Sequence, residues 1–555
     1  MNGFSFIDLR LLLPELLLAG TVLILFAGDT LLPDPVHKRR YLTLLALLGL
    51  LASAAAALDL SALMLDYGRP LTAIFTGQVA VDPIAMLFKV LFAAITVVGV
   101  LTSLLSDELP DKHMGEYYAL LLSICFGMFL MASANDLLMV YLALELVSIV
   151  SFAMAGYRMH DKRSSEAALK YVIYGGAASG AMLFGMSLLY GMVGTTELTA
   201  INHGLVTLSG APLVAAGIPE RVFPLMMVVA VTLVFVGIGY KIAVVPFHMW
   251  SPDVYEGSPT PFTGFLSVGP KAAGFALLLR FFIGTLIPGS GGPGYDLDVR
   301  GVMPMAVDMP LPAVIGIIAA ATMTVGNLAA IPQNNVKRML AYSSIAHAGY
   351  LLMGFVVLSP SALHAVAFYL VIYFVMNIGA FTVVQAVRDR TGGEELHDFR
   401  GLGQRAPLLA IAMVIFLLSL TGLPPLAGFI GKFYLFAAVV KRNELWYWVL
   451  AMIAVVNSAV SLYYYMRVAR AMFLTEPVKD EPLNVGLGYH VVTTALAVPV
   501  LVLGLYWAPL SRSITRSLSF YRAPAVVSPV AATTTPAPAP AAVPSPSLAP
   551  AGARH

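Results

Sequence analysis

Long apolar stretches divide the chain at short intervals, and polar residues collect between them. Fourteen stretches are long enough to cross a membrane as helices, which takes about 20 residues each. They cover residues 9–28, 41–64, 81–105, 117–133, 137–156, 166–191, 222–246, 260–287, 311–331, 337–358, 362–387, 407–440, 446–474 and 487–510. The stretches are continuously apolar, whereas strands of a membrane barrel alternate over about ten residues. The pattern therefore predicts an all-α polytopic membrane protein with about 14 transmembrane helices.

Composition supports a membrane protein and narrows its chemistry. Hydrophobic residues make up 59% of the chain and charged residues 11%, whereas about a quarter of an average soluble domain is charged. The 32 basic and 30 acidic residues give no electrostatic reason to expect a nucleic-acid partner. The single cysteine, Cys125, cannot form an intrachain disulfide or hold an iron–sulfur cluster. If the protein takes part in redox chemistry, the electrons travel elsewhere.

Lysine and arginine collect in the odd-numbered connections between the stretches. These connections contain Lys38, Arg39, Arg40, Arg158, Lys162, Arg163, Arg388, Arg390, Arg400 and Arg405. Because basic loops stay on the cytoplasmic side, we expect the odd connections there and both termini on the other side. The four tryptophans fall near predicted helix ends, where indole rings favour the membrane interface. They are Trp250, Trp446, Trp448 and Trp507.

Two of the stretches contain proline-rich interruptions. About 34 residues at 407–440 would reach roughly 50 Å as one helix, against a hydrocarbon core of about 30 Å. A break at Gly422–Gly431 removes the excess length, and Pro246 interrupts the seventh stretch in the same way. Broken helices in corresponding positions are typical of inverted-repeat transporters. The breaks predict internal hydration and fit two inverted five-helix repeats with discontinuous helices.

This organisation divides the chain into six parts. Residues 1–116 hold transmembrane helices 1–3, residues 117–287 the first antiporter-like repeat with helices 4–8, residues 288–310 a loop, residues 311–474 the second repeat with helices 9–13, and residues 475–522 helix 14 with its flank. Residues 523–555 are rich in alanine and proline. Such a tail has too little to bury and is predicted to be disordered.

Ionisable residues inside the spans are the first functional candidates, because a charge at the bilayer centre costs roughly 2.5–3.5 kcal/mol on insertion scales. Lys241 lies five residues before Pro246, Lys271 directly follows Pro270, and Lys432 directly follows the predicted break of the twelfth stretch. Proline removes a backbone hydrogen bond, and at membrane depth such a break survives inside protein or beside water. The three lysines are therefore candidates for ion transfer.

Glu145 lies in the middle of the fifth stretch. Tyr141 and Ser148 occupy the same helical face, which makes a polar stripe. Glu145 and Lys241 are expected to be partners, since each needs a counter-charge or water at its depth. Opening or closing such a pair changes the proton affinity of Lys241. A purely structural ion pair is the alternative.

Histidines and further lysines give weaker candidates. Free histidine titrates near neutrality, so His347 and His248 could relay protons, while hydrogen-bonded packing is an alternative role for each. The secondary proton-pathway candidates are His248, Lys337, His364 and Lys170. Lys170 lacks a broken-helix context and could also be a helix–helix contact or extend its ammonium group to the membrane surface.

Three segments resemble a known family. They are GIGYKIAVVPFHMWSPDVYEGSPTPFTGFLSVGPKAAGF, NNVKRMLAYSSIAHAGYLLMGF and TGLPPLAGFIGKFYLF. They resemble subunit N of bacterial respiratory complex I, the proton-pumping NADH:quinone oxidoreductase, and its mitochondrial counterpart, subunit 2. The similarity covers the hydrophobic body from the first to the fourteenth stretch. Sister subunits and multi-subunit cation/proton antiporters share the architecture.

The resemblance assigns roles residue by residue. It implies that Glu145 is the glutamate of the fifth helix and Lys241 the lysine of the broken seventh helix. Lys271 then matches the lysine of the eighth helix and Lys432 that of the broken twelfth helix. His347 matches a position of the tenth helix in the central polar axis.

The resemblance also implies the setting of this chain. It would be one proton-translocating module of the translocase in the bacterial inner (plasma) membrane, beside other membrane-arm subunits that include antiporter-like neighbours. It implies no cofactor in this chain, because NADH, FMN, the iron–sulfur clusters and quinone bind to other subunits. A subunit of a multi-subunit cation/proton antiporter and a scaffold without transport are the alternatives. Co-purification with flavin and iron–sulfur subunits would favour the complex I module, and co-purification with small antiporter subunits would favour the antiporter. The intact Glu145, Lys241, Lys271 and Lys432 argue against a scaffold.

Overall fold

A computed structural model gives the fold of most of the chain. It describes residues 6–32, 35–67, 72–75, 77–210, 222–286, 311–357, 359–477 and 481–518. The loop predicted at 288–310 and the tail predicted at 523–555 lie outside the described residues.

The N-terminal part consists of four helices and a short hairpin. Its elements are α1 (Phe6–Leu11), α2 (Leu13–Leu31), α3 (Pro35–Tyr67), β1 (Thr72–Ile74), β2 (Val79–Val81) and α4 (Pro83–Leu105). The two strands pair antiparallel with Ala73 opposite Ala80, and the hydropathy pattern did not predict them. Glu15 on α2 and Lys89 on α4 form a buried ion pair of 2.5 Å. Each charge thereby gains a partner inside the helix bundle.

Eight helices follow between residues 114 and 286, after a 3-10 turn at Asp111–His113. They are α5 (Met114–Ser133), α6 (Leu137–Ala155), α7 (Lys162–Val193), α8 (Leu198–Gly210), α9 (Val222–Ile242), α10 (Trp250–Gly257), α11 (Thr260–Leu266) and α12 (Gly269–Phe281), which continues as a π-helical turn at Phe282–Leu286. Aspartates begin two of them, because their carboxylates accept backbone N–H groups that lack a partner within the helix. Asp136 accepts from the N–H of Leu138 and Asp161 from that of Arg163.

Nine more helices complete the described chain, with a 3-10 turn at Leu396–Phe399. They are α13 (Leu311–Ala330), α14 (Val336–Val357), α15 (Pro360–Thr391), α16 (Leu402–Arg405), α17 (Pro407–Thr421), α18 (Ala427–Val440), α19 (Leu445–Leu474), α20 (Leu487–Leu505) and α21 (Ala508–Leu518). The long α15 begins where the Ser359 hydroxyl accepts the N–H of Ala362. It ends at Gly392, whose φ of +78° suits glycine.

The predicted number of spans and the all-α class are confirmed. In the described residues, 13 helices are long and apolar enough to cross a membrane. The shorter α17 and α18 together occupy the predicted twelfth stretch, which gives the fourteenth span. In the most apolar 18-residue segment of each span, the buried share of the residues is 100% for the α11–α12 span and 94% for α14 and for α15. These three spans therefore form the centre of the molecule.

The seventh, eighth and twelfth spans are all interrupted. The seventh breaks between α9 and α10, around the predicted Pro246. The twelfth breaks at Gly422 as predicted, but α18 already begins at Ala427, so the break is shorter than expected. The eighth span breaks at Ser267 and Val268, between α11 and α12. Lys271 follows this break within the first turn of α12.

Trp250 does not lie at the membrane interface, so that prediction is wrong. The indole is 1% exposed and stacks on Tyr171, with ring centroids 4.4 Å apart. Its N–H donates to the carbonyl oxygen of Tyr240 at 3.0 Å. The sequence position near a helix end was misleading because that end is the internal break of the seventh span.

Candidate functional site

Lys241 lies in the last turn of α9, directly before the break. Its side chain is buried, and its ammonium group donates to the Ser148 hydroxyl on α6 at 3.1 Å. Glu145 lies one helical turn before Ser148 and is close enough to act electrostatically on Lys241. The two charged groups are more than 4 Å apart, so Glu145 and Lys241 interact electrostatically without a direct ion-pair contact.

Glu145 occupies the border between the core and the exposed face of α6. It is half-buried, and its Oε1 atom is inaccessible and accepts no hydrogen bond within the described residues. Leu142 and Ile149, one turn to either side, are 61% and 60% exposed. The carboxylate therefore faces both the Lys241 region and the outer surface of the helix bundle.

Lys271 joins the two halves of the molecule. Its ammonium group donates to the Ser344 hydroxyl on α14 at 2.6 Å and lies 5.6 Å from the centre of the Tyr255 ring on α10. One turn further along the same face of α12, Gly274 faces the side chains of Ile242 and Lys241. A Cβ atom added at Gly274 would lie 2.6 Å from Ile242 and 3.5 Å from Lys241. The first two turns of α12 thus adjoin both the Lys271 site and the Lys241 site.

His347 is buried on α14 within a ring of tyrosines. Its Nδ1 atom is 2.7 Å from the Tyr369 hydroxyl, and its Nε2 atom is 3.5 Å from the Tyr465 hydroxyl. The rings of Tyr373 and Tyr350 have centroids 5.3 Å and 5.7 Å from the imidazole. Hydroxyl groups both donate and accept, so they remain bonded to either tautomer.

Lys432 lies on α18, just after the break of the twelfth span. Its ammonium group donates to the Thr421 carbonyl oxygen and to the Ser458 hydroxyl, each at 2.9 Å. It also lies 4.4 Å from the centre of the Tyr350 ring. At Gly422, where φ is +88°, a Cβ atom would approach the Lys432 side chain to 2.9 Å. The glycine therefore permits both the turn and the approach of the lysine.

The three buried lysines share one property. Within the described residues, no carboxylate lies within 4 Å of the ammonium group of Lys241, Lys271 or Lys432. Their hydrogen-bond partners are neutral hydroxyls and a backbone carbonyl. A buried charge without a counter-charge is costly, so a permanent structural ion pair does not explain these lysines.

Two secondary candidates belong to a set of charges around α10, which we call the α10 clamp: Lys170, Asp253, Glu256, Lys337 and Arg338. Asp253 binds Lys170 and Arg338, each at 2.6 Å, and Glu256 binds Arg338 at 2.9 Å. Lys337 donates to the Glu256 carbonyl oxygen at 3.2 Å and is fully buried. Lys337 and Lys170 therefore hold α10 in place and lie outside the row of unpaired lysines.

The remaining secondary candidates differ in position. His248 is buried in the break of the seventh span, and its Nδ1 atom has no hydrogen-bond partner within the described residues. It is close enough to Lys271 for an electrostatic interaction. His364 lies at the start of α15 and contacts Ser511 at 3.0 Å. The structure therefore brings His248 to the lysine row and places His364 beside α21.

A second group of charges surrounds Glu108, which lies in the connection between α4 and α5. Glu108 contacts Arg388, lies 3.7 Å from Arg158, and accepts the backbone N–H of Thr260 at 3.2 Å. Burial alone would raise the pKa of the Glu108 carboxyl, but Lys337, Arg388 and Arg158 outweigh burial and hold the pKa below its usual value of 4.5. Glu108 thereby fixes the start of α11.

Sequence reasoning missed the hydroxyl groups that hold the candidates. Ser344 and Tyr350 lie three residues before and after His347, so helical spacing could have identified them. Ser458, Tyr369 and Tyr465 belong to other helices. No local pattern relates them to Lys432 or His347.

Fold and site together define a class of membrane protein. Discontinuous helices that meet ionisable side chains inside the bundle are typical of proteins that move ions across a membrane. The family model described as NADH:quinone oxidoreductase/Mrp antiporter, TM matches residues 134–288 and 297–458. The chain therefore belongs to this family.

Curated relatives place the chain within the family. It is 48% identical to NADH-quinone oxidoreductase subunit N of Anaeromyxobacter sp. (strain Fw109-5), over 92% of this chain and 96% of the relative. It is 47% identical to NADH-quinone oxidoreductase subunit N 2 of Sorangium cellulosum (strain So ce56), over 92% of this chain and 97% of the relative. The assignment made from the sequence, subunit N of the NADH:quinone oxidoreductase, is confirmed.

Solved structures agree with the fold. A chain of respiratory complex I from Thermus thermophilus with bound aureothin superposes with a TM-score of 0.70 at 32% identity, covering 91% of this chain and 99% of that one. A chain of the Mrp complex from Dietzia sp. DQ12-45-1b gives a TM-score of 0.74 at 22% identity, covering 92% and 98%. The second likeness concerns the fold alone. The chain is thus a multi-pass membrane protein related to subunits of larger membrane complexes.

Proposed function

We propose that protons cross the membrane through this subunit along the row Glu145, Lys241, Lys271, His347 and Lys432. The observation that supports the proposal is the environment of the three lysines, which are buried beside helix breaks and bonded to neutral oxygens. A serine hydroxyl can accept from an ammonium group and donate to a neutral amine. Each lysine therefore keeps its hydrogen-bond partner whether or not it holds the proton.

Glu145 acts on the first lysine without binding it directly. A change in the charge of Glu145, or a rotation of its side chain toward Lys241, alters how favourable the charged form of Lys241 is. Ser148 lies one turn after Glu145 on the same face of α6, and its hydroxyl accepts a hydrogen bond from the Lys241 ammonium group. This arrangement gives a switch at the entrance of the row.

The second part of the row connects Lys271 to Lys432. Ser344 and His347 occupy neighbouring turns of α14, and Tyr350, one turn further, faces the Lys432 ammonium group. The hydroxyls of Tyr369 and Tyr465 give His347 donors and acceptors on both nitrogens. Water at the helix breaks would complete the path, as the loss of backbone hydrogen bonds there favours hydration.

The electron-transfer chemistry belongs to other subunits in this proposal. The chain contains one cysteine, Cys125, which is buried, so it cannot provide the thiolate set of an iron–sulfur cluster. NADH, FMN, the clusters and quinone would bind elsewhere in the complex. This chain contributes to the enzyme as a proton-translocating subunit without a redox centre.

Neighbouring subunits and membrane orientation complete the proposal. Glu145 on the outer border of α6 favours a neighbouring membrane-arm subunit there, because a carboxylate facing lipid is costly. An antiporter-like neighbour would cover it. The distribution of lysine and arginine favours an orientation with the odd connections in the bacterial cytoplasm and both termini on the other side of the inner membrane.

Glu145→Gln tests this proposal while keeping the size of the side chain. Proton uptake and NADH:quinone turnover are measured in inverted vesicles and normalised to assembled complex on a native gel. We expect both to collapse, whereas NADH oxidation by an artificial acceptor continues. Glu145→Asp keeps the charge and should retain part of the activity.

The matched control is Glu166→Gln, which removes a carboxylate that is 62% exposed and paired with Lys170. It should pump almost normally. If assembled Glu145→Gln pumps at the wild-type rate, Glu145 has no part in proton transfer.

A further inference from the structure

Two neighbouring cavities share Arg467 and Arg470 near the end of α19. One is polar, has a volume of 590 Å³ and lies against the 3-10 turn at 396–399 and Arg400. The other is an apolar groove of 840 Å³ between α17 and α19. A polar cavity that continues into an apolar groove matches a molecule with a charged head and a hydrocarbon chain.

The polar cavity carries an excess of positive charge. Arg400, Arg467 and Arg470 line it together with one carboxylate, Glu395. That carboxylate is already used, because it accepts the backbone N–H of Asp398 at the start of the 3-10 turn. An anion in the cavity would therefore meet three guanidinium groups and a carboxylate bonded to backbone.

The three arginines differ in how far they are committed to the fold. Arg467 donates to the Ile331 and Gln333 carbonyl oxygens and to Asn334, so it closes the end of α13. Arg400 and Arg470 are exposed, and within the described residues no carboxylate lies within 4 Å of either side chain. These two arginines are available to bind a ligand.

The apolar groove faces away from the protein core. Ile411, Tyr463 and Phe473 along it are 50%, 61% and 45% exposed. It lies between α17, the first half of the broken twelfth span, and the membrane-spanning α19, so an acyl chain can pack against both helices. Basic cavities between helices at the cytoplasmic surface are typical binding places for anionic lipid headgroups.

We propose that an anionic diacyl phospholipid binds here, with its phosphate between Arg400 and Arg470 and one acyl chain in the α17–α19 groove. Guanidinium groups bind phosphate oxygens through paired, charge-assisted hydrogen bonds. The lipid would lie on α19, the helix that also presents Ser458 to Lys432. The inference does not depend on the proton path.

The test uses the purified complex and phosphatidylglycerol with a photoreactive group on one acyl chain, in phosphatidylcholine nanodiscs. Labelled peptides of α17 and α19 are quantified by mass spectrometry. Arg400→Gln combined with Arg470→Gln should lower this labelling about 30-fold, since each basic residue near a membrane surface contributes roughly 1 kcal/mol. Lys162→Gln combined with Arg163→Gln removes two exposed charges elsewhere and should leave it unchanged.

A competition on the wild-type complex keeps the proposal testable if the double variant does not assemble. Unlabelled phosphatidylglycerol should displace the probe, and phosphatidylcholine should not. Equal competition by both lipids overturns the proposal, as does unchanged labelling in the assembled double variant. Photolabelling of a neighbouring subunit without labelling of the α17 and α19 peptides would also overturn it.

Discussion

The broken seventh and twelfth spans place their lysines on opposite sides of the break. Lys241 precedes its break and reaches across to Ser148 on a neighbouring helix. Lys432 follows its break and binds Thr421, the last residue of the helix before it, in addition to Ser458. The second lysine thus closes its own break, whereas the first depends on another helix for its hydrogen bond.

The surroundings of the two breaks differ as well. The α10 clamp holds the segment after the first break through ion pairs with charges on α7 and α14. The segment after the second break, α18, packs against α14, α15 and α20 through an apolar surface apart from Lys432. We infer that charge changes reposition the first break more easily than the second, which suits a switch at the first and a fixed relay at the second.

Lys432→Arg gives the largest expected effect at the second break. Arginine keeps the positive charge but does not release its proton in proteins. If Lys432 transfers a proton, pumping by the assembled complex should fall roughly 100- to 10,000-fold, the usual range for loss of an acid–base group. Proton uptake in inverted vesicles measures it, with Lys441→Arg as the control, because Lys441 is exposed at the far end of α18. Wild-type pumping would mean that charge alone is needed there.

Glu108→Gln tests whether charges outside the membrane hold the region of the first break. Removing one partner from a buried ion network costs roughly 3 kcal/mol or more, so the Thr260 N–H should exchange with deuterium faster at neutral pH. Hydrogen exchange followed by mass spectrometry on the α10–α11 peptides measures this local opening. The exposed neighbour Asp107 provides the control variant Asp107→Asn, which should exchange like the wild type.

The pH dependence of this effect follows from the lowered pKa of Glu108. A carboxyl whose pKa is lower in the folded state contributes stability above its ordinary pKa, and this contribution is lost as the pH falls through the folded value. The difference between wild type and Glu108→Gln should therefore be full at pH 7 and shrink below the ordinary value of 4.5. A difference that grows toward low pH would contradict the assigned direction.

Serine-to-alanine variants compare the two lysines at a smaller scale. Ser148→Ala removes the hydroxyl that accepts from the Lys241 ammonium group. The loss of a hydrogen bond that stabilises the rate-limiting step by about 1.4 kcal/mol should slow pumping about tenfold. Ser458→Ala should slow it less, because Lys432 keeps the Thr421 carbonyl oxygen. Initial rates of proton uptake at equal complex content measure both. Equal rates in the two variants would contradict the inference that Lys241 depends more on its serine than Lys432 does.

The spans, the breaks and the buried lysines were predictable because each leaves a local signal. Continuous apolar runs give the spans, prolines give the breaks at Pro246 and Gly422, and a lysine in an apolar run stands out in one dimension. The family resemblance then pointed to Glu145 and His347. This part of the site can be predicted because each feature depends on the local sequence of a single helix.

The contacts between helices were not predictable in the same way. Ser458 and Tyr465 lie on α19, and nothing in their own segment relates them to Lys432 or His347. Trp250 was misplaced because an internal break resembles a membrane boundary in sequence. Glu145 acts electrostatically on Lys241, but the hydrogen-bond partner of the ammonium group is the Ser148 hydroxyl, which the hydropathy pattern did not identify.

Lys271→Ala is the most direct test of a single proton path, because Lys271 lies between the two broken spans and binds the second half through Ser344. The measurement is the number of protons taken up per NADH oxidised in inverted vesicles, with assembly checked on a native gel and Lys162→Ala as the exposed control. We expect assembled Lys271→Ala to lose pumping together with quinone-linked turnover. A wild-type proton yield and rate in that variant would contradict it.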